Sequence, residues 1–229
     1  MRSLVIIPAR GGSKGIPHKN IKEFNGKPLI YYAIDAARGI ADDADICVTT
    51  DDDEIIEAVE AYGLKVPFKR PDCLATDTCG TYEVLLHALG HYEESGRHYD
   101  NVILLQCTSP FRKVEHVKDA LKLYDDNCDM VVSVTESKAN PYYNCFEETD
   151  EGYLKVSKGN GDIHRRQDCP KAWEYNGAVY IINPESMKKE PLSKFKKVRK
   201  YEMDTLHSID LDTPLDWEIA ELIASKHII

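Results

Sequence analysis

The chain has 229 residues, and its 29 lysines and arginines against 39 aspartates and glutamates give a formal net charge of −10. This acidic balance argues against non-specific binding to nucleic acid or to an anionic membrane surface, although an acidic protein can still hold a locally basic pocket for an anionic substrate. No apolar run approaches the roughly 20 residues that a membrane-spanning helix needs. The length suits one domain with a sizeable core, and we expect that domain to span residues 1–229.

The start of the chain and its cysteines bear on the cellular compartment. The first apolar run stops at Pro8 without a small-residue cleavage site, which argues against a signal peptide. The seven cysteines are an odd number, and no two of them form a C-x-x-C pair. This pattern favours free thiols over a disulfide framework or a zinc site, so we expect a cytoplasmic protein.

Short apolar runs alternate with longer helix-like stretches over the first 134 residues. Strands are predicted at 4–7, 45–49, 102–105 and 130–134, and helices at 29–38, 84–92 and 114–124, with a further helix that starts in the acidic run 51–54 and ends at 62. This alternation predicts an α/β fold with a Rossmann-like, doubly wound sheet. Ligands of such sheets bind outside the carboxyl ends of the strands, where the loops after Ile7, Val48 and Leu105 lie.

The alternation stops near residue 136 and resumes at 177–182. The intervening segment, 137–172, is rich in turns, aromatic residues and short β-prone stretches such as Asn140-Pro141-Tyr142-Tyr143. It is too small to bury a core of its own, so it must pack on the main domain or on another subunit. We interpret it as a small, β-rich dimerisation arm.

The loop after the first strand is the most informative segment. Its three glycines permit positive φ angles and close approach of backbone N–H groups to a ligand, and its three cations would neutralise phosphate charge. The residues concerned are Gly11, Gly12, Gly15, Arg10, Lys14 and Lys19, with Ser13 and Asn20 as neutral hydrogen-bonding groups. The spacing fits neither a Walker A loop nor a dinucleotide fingerprint. The composition favours a triphosphate site, and a flexible turn with incidental cations is the alternative.

A pair of carboxylates near the end of the chain has two interpretations. If the segment is extended, Asp210 and Asp212 point to the same face and both could bind one cation. Alternatively, they belong to an N-cap cluster for a helix that begins near Pro214, with Asp212 or Thr213 as the cap. The spacing alone does not separate the two.

Residues 7–20, Ile-Pro-Ala-Arg-Gly-Gly-Ser-Lys-Gly-Ile-Pro-x-Lys-Asn, resemble the nucleotide-binding signature of the CMP-N-acylneuraminate (sialic acid) synthetases, whose relatives activate pseudaminic and legionaminic acids. The resemblance continues, in the same order and spacing, at 69–77, 105–112, 176–181 and 208–216. It therefore covers essentially the whole chain. It implies a cytidylyltransferase that converts CTP and a nonulosonic acid to CMP-sugar and pyrophosphate, with Mg²⁺ as cofactor. The predicted arm adds the expectation of a homodimer.

The resemblance also implies roles for individual residues. The catalytic residues would be Arg10, Lys19 and Asp210, and the metal ligands Asp210 and Asp212. The nucleotide-binding residues would be Ala9, Arg10, Gly11, Gly12, Ser13, Lys14, Lys19, Asn20, Arg70, Cys79 and Thr81. The substrate-binding residues would be Gln106, Thr108, Ser109, Arg166 and Tyr180, although Arg165 leaves the register of the arginine open by one.

Several alternatives stay open at this point. Gln106 could instead satisfy the backbone of a turn, and Arg70 could form a surface ion pair. The family often carries a lysine at the position of Tyr143, so the identity of the acidic nine-carbon sugar is open. Two other functions are possible: a CMP-KDO synthetase, whose loop lacks the Gly-Gly-Ser-Lys-Gly run, and a non-catalytic nucleotide-binding module.

Overall fold

A six-stranded sheet with helices on both faces organises the computed structural model, which describes residues 1–226. The strands are β1 (Ser3–Pro8), β2 (Glu23–Phe24), β3 (Lys27–Pro28), β4 (Ile46–Thr49), β5 (Asn101–Leu104), β6 (Met130–Glu136), β7 (Phe146–Glu148), β8 (Leu154–Val156), β9 (Trp173–Ile182) and β10 (Val198–Glu202). The α-helices are α1 (Leu29–Arg38), α2 (Asp53–Ala61), α3 (Thr81–Glu94), α4 (Val114–Leu121), α5 (Pro184–Lys189) and α6 (Pro214–Ser225). The predicted α/β class is confirmed.

The main sheet is mixed, in the order β10-β6-β9-β5-β1-β4. Strand β1 pairs in parallel with β4 and β5, and β6 pairs in parallel with β10. Strand β9 runs antiparallel to both of its neighbours, β5 and β6. It enters the sheet from the segment that interrupts the α/β alternation, without the crossover helix that a parallel strand requires.

Alternate residues of β1 are buried on opposite faces of the sheet. Val5 and Ile7 pack with α1, α2 and α4, whereas Leu4 and Ile6 pack with α3 and α5. This double burial explains the continuous apolar run that predicted the strand. A third apolar cluster joins Trp217 of α6 to Phe24, so the last helix lies beside the loop that follows β1.

The elements that the sequence analysis missed are the short or polar ones. Strands β2 and β3 have two residues each, which is too short for any periodicity. Strand β10 lies at the sheet edge in a lysine-rich stretch, where charged side chains are common on an unpaired edge. The predicted helix 84–92 begins earlier, at Thr81, and the predicted helix 114–124 ends earlier, at Leu121.

The interrupting segment contains a separate hairpin, in which β7 pairs antiparallel with β8. Large apolar side chains on it are exposed: Phe146 by 51%, Tyr153 by 73% and Leu154 by 72%. The assignment of 137–172 as a dimerisation arm within one domain, 1–229, stays a prediction, and residues 227–229 lie outside the described part of the chain. Within residues 1–226, no helix combines the length and apolar character needed to cross a membrane.

Candidate active site

The carboxyl ends of β1, β4 and β5 meet at one edge of the sheet, as the fold class predicts. Ala9 N–H donates to Thr49 O at 3.0 Å, and Leu105 N–H donates to Ile6 O at 3.1 Å. A cavity of about 310 Å³ opens there. Of the predicted nucleotide-binding residues, the cavity is lined by Arg10, Asn20, Arg70, Cys79 and Thr81, and Gln106 and Thr108 close its other side.

Two glycines of the β1 loop are required by contacts within the protein. A Cβ on Gly11 would lie 2.2 Å from Asp52 Oδ2, and a Cβ on Gly15 would lie 2.1 Å from Asp212 O. Gly12, by contrast, faces open space. A hydrogen bond within the loop also holds its two ends together, because Asn20 Nδ2 donates to Arg10 O at 3.0 Å. These glycines therefore allow close packing within the chain, and the close approach of the loop backbone to a ligand stays a prediction.

One backbone amide assigned to phosphate has a partner within the protein. Gly11 N–H donates to Asp51 Oδ1 at 3.3 Å. Ser13 N–H similarly donates to Gly11 O at 2.9 Å. These two amides are therefore already engaged within the protein.

Arg70 lies at the floor of the cavity and is only 4% exposed. Its Nε donates to Thr49 Oγ1 at 3.1 Å, and its Nη2 donates to Thr49 O. Burial lowers the pKa of this guanidinium. The alternative of a surface ion pair is wrong, because the charge is held inside the protein against β4.

Arg10 and Lys14 contact the same carboxylate across the mouth of the cavity. Arg10 Nη1 lies 3.0 Å from Asp77 Oδ1, and Lys14 Nζ lies 2.6 Å from Asp77 Oδ2. All three side chains are partly exposed. Asp77 had no role in the sequence analysis, although it lies within the 69–77 segment that carries the resemblance.

Lys19 joins the β1 loop to the segment before α6. It is 9% exposed, and its Nζ donates to Leu211 O at 2.7 Å and to Asp212 Oδ1 at 3.1 Å. Leu211 is completely buried, and its N–H donates to Thr108 O at 2.9 Å. Lys19 and the two candidate metal ligands therefore lie together, beside the loop after β5.

The N-cap of α6 separates the two interpretations of the carboxylate pair. Thr213 is the N-cap residue, and its side chain accepts the N–H of Asp216 while Asp216 accepts the N–H of Thr213 in return. This capping box uses neither the Asp210 nor the Asp212 carboxylate. Residues 209–212 lie outside the strands, so the predicted strand geometry does not apply to them.

Asp210 is half-buried, and one of its carboxylate oxygens is shielded from solvent. Within residues 1–226, its Oδ1 has no hydrogen-bond partner, and neither has the buried Thr108 Oγ1. Burial raises the pKa of Asp210, the Thr108 hydroxyl beside the carboxylate partly opposes this, and the neighbouring Asp212 carboxylate raises the pKa further. A carboxylate kept in such a position at a cost in solvation is a candidate ligand for a cation.

A second cavity, of about 330 Å³, adjoins the first and shares Thr81 and Gln106 with it. Its wall is mainly apolar and aromatic: Leu104, Met130, Tyr175, Tyr180, Leu192, Phe195 and Val198. Burial, with the nearby Asp210 charge, raises the pKa of Tyr180 to about 12, so its hydroxyl keeps its proton. The structure therefore brings two of the predicted substrate-binding residues, Gln106 and Tyr180, to one cavity.

Gly177 lies close to the side chains of Asp210 and of Gln106, which lines both cavities. Its φ is +74°, and a Cβ there would lie 3.5 Å from Gln106 Oε1 and 3.7 Å from Asp210 Oδ2. The side chains of Gln106 and Asp210 therefore both point toward this glycine. The positive φ disfavours any side chain at this position.

Arg112 is a positioning residue that sequence reasoning missed. It is 5% exposed, and its Nη1 donates to Gln106 O at 2.9 Å and to Ala178 O at 3.0 Å. Burial lowers its pKa to about 10. It ties the loop after β5 to β9 behind the second cavity. Its only sequence signal was its place in the segment 105–112.

The remaining predicted residues lie apart from the cavity walls. Arg166 is exposed in a turn of the arm, and its neighbour Arg165 pairs with Asp168 at 2.7 Å. Neither arginine lines the two cavities. Ala9 and Ser109 are buried. The other predicted residues that line neither cavity are Gly11, Gly12, Ser13, Lys14 and Lys19 of the β1 loop, with Asp210 and Asp212. Their roles stay predictions.

Comparisons with known proteins agree with this architecture. The family model described as "Cytidylyltransferase" matches residues 4–223. N-acylneuraminate cytidylyltransferase of Streptococcus agalactiae serotype V is 37% identical over 221 residues, which is 95% of this chain and 52% of that protein. The chain therefore spans about half the length of this relative.

A relative of similar length and a solved structure complete the comparison. CMP-N,N'-diacetyllegionaminic acid synthase of Legionella pneumophila is 32% identical over 222 residues, covering 96% of this chain and 95% of that protein. The structure of a CMP:2-keto-3-deoxy-manno-octonic acid synthetase complexed with CTP superposes with a TM-score of 0.73, at 19% identity, over 99% of this chain and all of the other. At that identity the superposition establishes the fold.

Proposed function

Because this chain belongs to the cytidylyltransferase family, we propose that it transfers a cytidylyl group from CTP to an acidic nine-carbon sugar, giving CMP-sugar and pyrophosphate. One observation carries the proposal. Two cavities of different chemistry share Gln106 and Thr81, and Asp210, which lies with Lys19 and Asp212, approaches Gly177 from the same surroundings as Gln106. A transferase of this kind needs two adjacent binding places and a charged centre between them.

The first cavity suits CTP. Arg10 lines it, Lys14 pairs with Asp77 of its lining, and Lys19 lies farther along the same loop, so three cations are available to a triphosphate bound there. Asn20 and Arg70 are held at the inner wall by hydrogen bonds to backbone and side-chain atoms. We assign these two residues, with Cys79 and Thr81, to the cytidine part of the nucleotide.

The second cavity suits the acceptor. Its aromatic and aliphatic wall favours the acyl and deoxy portions of a nonulosonic acid, and Gln106 and Tyr180 supply hydrogen-bonding groups at its edge. Arg112 fixes the backbone of Gln106 from behind. The relatives named above support this substrate class, and the particular sugar stays open because Tyr143 stands where the family often has a lysine.

The reaction follows from this placement. The anomeric hydroxyl of the sugar attacks the α-phosphorus of CTP in line and gives its proton to water. The bond from the α-phosphorus to the oxygen that bridges it to the β-phosphate breaks, and pyrophosphate leaves with that oxygen. Lys19, with its ammonium fixed by Leu211 and Asp212, stabilises the negative charge that develops on the phosphates. Arg10 acts in the same way from the mouth of the cavity.

We propose Mg²⁺ as the cofactor, held by Asp210 and Asp212. No group of three or more metal-ligating side chains occurs within residues 1–226, but Mg²⁺ commonly binds through one or two carboxylates and its substrate phosphates. The partnerless Asp210 Oδ1 fits this requirement, and Asp212 shares its carboxylate with Lys19. When bound, the ion would neutralise charge on the phosphate oxygens.

We also propose a homodimer and a cytoplasmic location. The exposed apolar side chains of the β7–β8 hairpin would be covered by a second copy of the chain. The seven cysteines are all free thiols, which suits a reducing compartment where CTP is available. Sedimentation of the purified chain at micromolar concentration tests the dimer, with Tyr153→Lys as the variant expected to weaken it.

The activity is tested by pyrophosphate release from CTP in the presence of Mg²⁺. The acceptor panel contains N-acetylneuraminate, a legionaminate, a pseudaminate and KDO, and ATP, GTP and UTP are the control nucleotides. We expect release with CTP and at least one nine-carbon acid, and none in Asp210→Asn. Asp119→Asn, an exposed carboxylate paired with Lys122, is the matched control and should react as wild type.

Each alternative function predicts a different result in these experiments. Preference for KDO over the nine-carbon acids would assign the chain to the eight-carbon reaction. CTP binding in a calorimeter without release from any acceptor would favour a non-catalytic nucleotide-binding module. The absence of both binding and release would overturn the proposal as a whole.

A further inference from the structure

Asp77 faces the β1 loop across the mouth of the first cavity. Its two carboxylate oxygens are divided between the cations of the loop, Oδ1 at 3.0 Å from Arg10 Nη1 and Oδ2 at 2.6 Å from Lys14 Nζ. The segment that carries it, from Leu74 to Thr81, lines the cavity opposite Arg10 and Asn20. The ion pairs therefore bridge the two sides of the cavity at its entrance.

We propose that Asp77 competes with the triphosphate for Arg10 and Lys14, and so sets the affinity for CTP and assists the release of pyrophosphate. This inference rests on the proposed function. Asp77 occupies only one N–H of the Arg10 guanidinium and one of the Lys14 ammonium, but its negative charge lies between the two cations and repels phosphate oxygens. A triphosphate that engages both cations therefore competes with Asp77 for them, and Asp77 can reclaim them when pyrophosphate leaves.

The weakness of the two ion pairs allows a triphosphate to replace Asp77 on the cations. Arg10, Lys14 and Asp77 are between about a third and three quarters exposed, and ion pairs of this exposure are weak because solvent screens them. A triphosphate brings several negative charges to the same two cations and makes stronger, charge-assisted hydrogen bonds. Asp77 therefore moderates binding without preventing it.

The position of Asp77 distinguishes it from the other carboxylates near the loop. Asp52 caps α2 through Glu54 N–H and Ile55 N–H, and Asp51 accepts Gly11 N–H. Both are engaged by backbone groups. Asp77 contacts only the two cations, within the part of the chain that the structure describes, so an incoming anion can displace it without breaking a backbone hydrogen bond. Glu54, which pairs with His18, and Asp212, which pairs with Lys19, also contact side chains of the loop, but in the described residues neither is paired with Arg10 or Lys14.

The test is calorimetric titration of wild type, Asp77→Asn and Asp77→Glu with CTP, pyrophosphate and cytidine. We expect Asp77→Asn to bind CTP and pyrophosphate about threefold to tenfold more tightly, the range expected for removing two weak competing ion pairs. Cytidine, which has no phosphate, should bind as to wild type, and Asp77→Glu should restore the wild-type values. Asp72→Asn removes an exposed carboxylate nearby and is the charge-matched control.

Three outcomes would count against the inference or against its premise. Unchanged or weaker binding of CTP and pyrophosphate by Asp77→Asn would overturn the competition and would make Asp77 a residue that positions the cations. An equal gain in affinity for CTP and pyrophosphate in Asp72→Asn would show that the effect comes from the change in net charge alone. Failure of the wild-type protein to bind CTP would instead overturn the proposed function, so the two failures give different results.

Discussion

Lys19 Nζ donates a hydrogen bond of 2.7 Å to the backbone oxygen of Leu211, a residue 192 positions farther along the chain. The contact joins the loop after the first strand to the segment before the last helix. Since Leu211 is fully buried between Asp210 and Asp212, this one ammonium group fixes the backbone that carries both carboxylates. The cation and the carboxylates of the candidate site are therefore parts of one unit.

The first prediction concerns this unit. Lys19→Met keeps the length of the side chain but removes its charge and its two hydrogen bonds. We expect kcat/KM for CTP to fall by about 10²- to 10³-fold, because a positioned donor to developing negative charge is lost. We also expect the free energy of unfolding to fall by about 1 to 3 kcal/mol, because the oxygen of Leu211 is left without its donor.

Steady-state kinetics and urea unfolding measure the two effects. Lys65→Met, at an exposed lysine outside both cavities, is the control and should change neither quantity appreciably. A Lys19→Met variant that turns over CTP at the wild-type rate would show that the ammonium has only a structural role.

The second prediction concerns Gly15, whose added Cβ would meet the backbone oxygen of Asp212 at 2.1 Å. A backbone atom next to the buried Leu211 cannot move aside cheaply. We therefore expect Gly15→Ala to lose most of the activity and about 1 to 3 kcal/mol of stability, the usual cost of overpacking.

Gly90→Ala is the comparison for this effect, because Gly90 lies within α3 and nothing surrounds its missing side chain. That variant should be neutral or more stable by up to about 1 kcal/mol, since alanine favours the helix. Circular dichroism melts and pyrophosphate release measure both. Equal behaviour of the two alanine variants would mean that the β1 loop can relax away from Asp212.

Local pattern in the sequence was enough to predict the α/β class, the order of the elements and the cationic loop. The apolar run of β1 is buried on both faces, and the acidic run 51–54 does begin a helix, so these signals were local and physical. The three loop cations could likewise be identified from composition. Their arrangement could not.

Contacts between distant segments were not predictable. Nothing in the sequence places Asp77 on Arg10, or Lys19 on Asp212, because each pair is formed by the packing of loops from different strands. The burial of Arg70 was missed for the same reason, since the group that binds its guanidinium is the backbone of β4. The antiparallel entry of β9 was missed because its apolar run is the same as that of a parallel strand.

The third prediction concerns the opposite effects of the Asp210 carboxylate on activity and on the stability of the protein. Burial raises the pKa of this carboxyl, so the folded protein holds the proton more tightly than the unfolded chain does. Ionised Asp210 therefore costs stability, and the cost grows as pH rises above the ordinary aspartate range. We expect Asp210→Asn to melt at a higher temperature than wild type at pH 8 in EDTA, while it loses at least about 10²-fold in activity.

The measurement is a pair of thermal melts at pH 8 and at pH 4, with pyrophosphate release at pH 8. The stability difference should shrink at pH 4, where the wild-type carboxyl takes up its proton. Asp119→Asn should show neither the gain in melting temperature nor the loss of activity. A lower melting temperature for Asp210→Asn at pH 8 would mean that the carboxylate stabilises the fold, contrary to the direction of its pKa.

The last prediction uses two cysteines as reporters of the first cavity. Cys79 lines that cavity, whereas Cys73 is exposed and lies outside its lining. We expect CTP to slow alkylation of Cys79 by iodoacetamide, by about tenfold at a concentration ten times its dissociation constant, because the bound nucleotide shields the thiol in proportion to its occupancy. Alkylation of Cys73 should continue at its original rate. Fragment-ion mass spectrometry of the peptide that contains both cysteines measures the two rates in one sample. Equal protection of both thiols would indicate a general change in the loop, and protection of neither would place CTP outside the cavity.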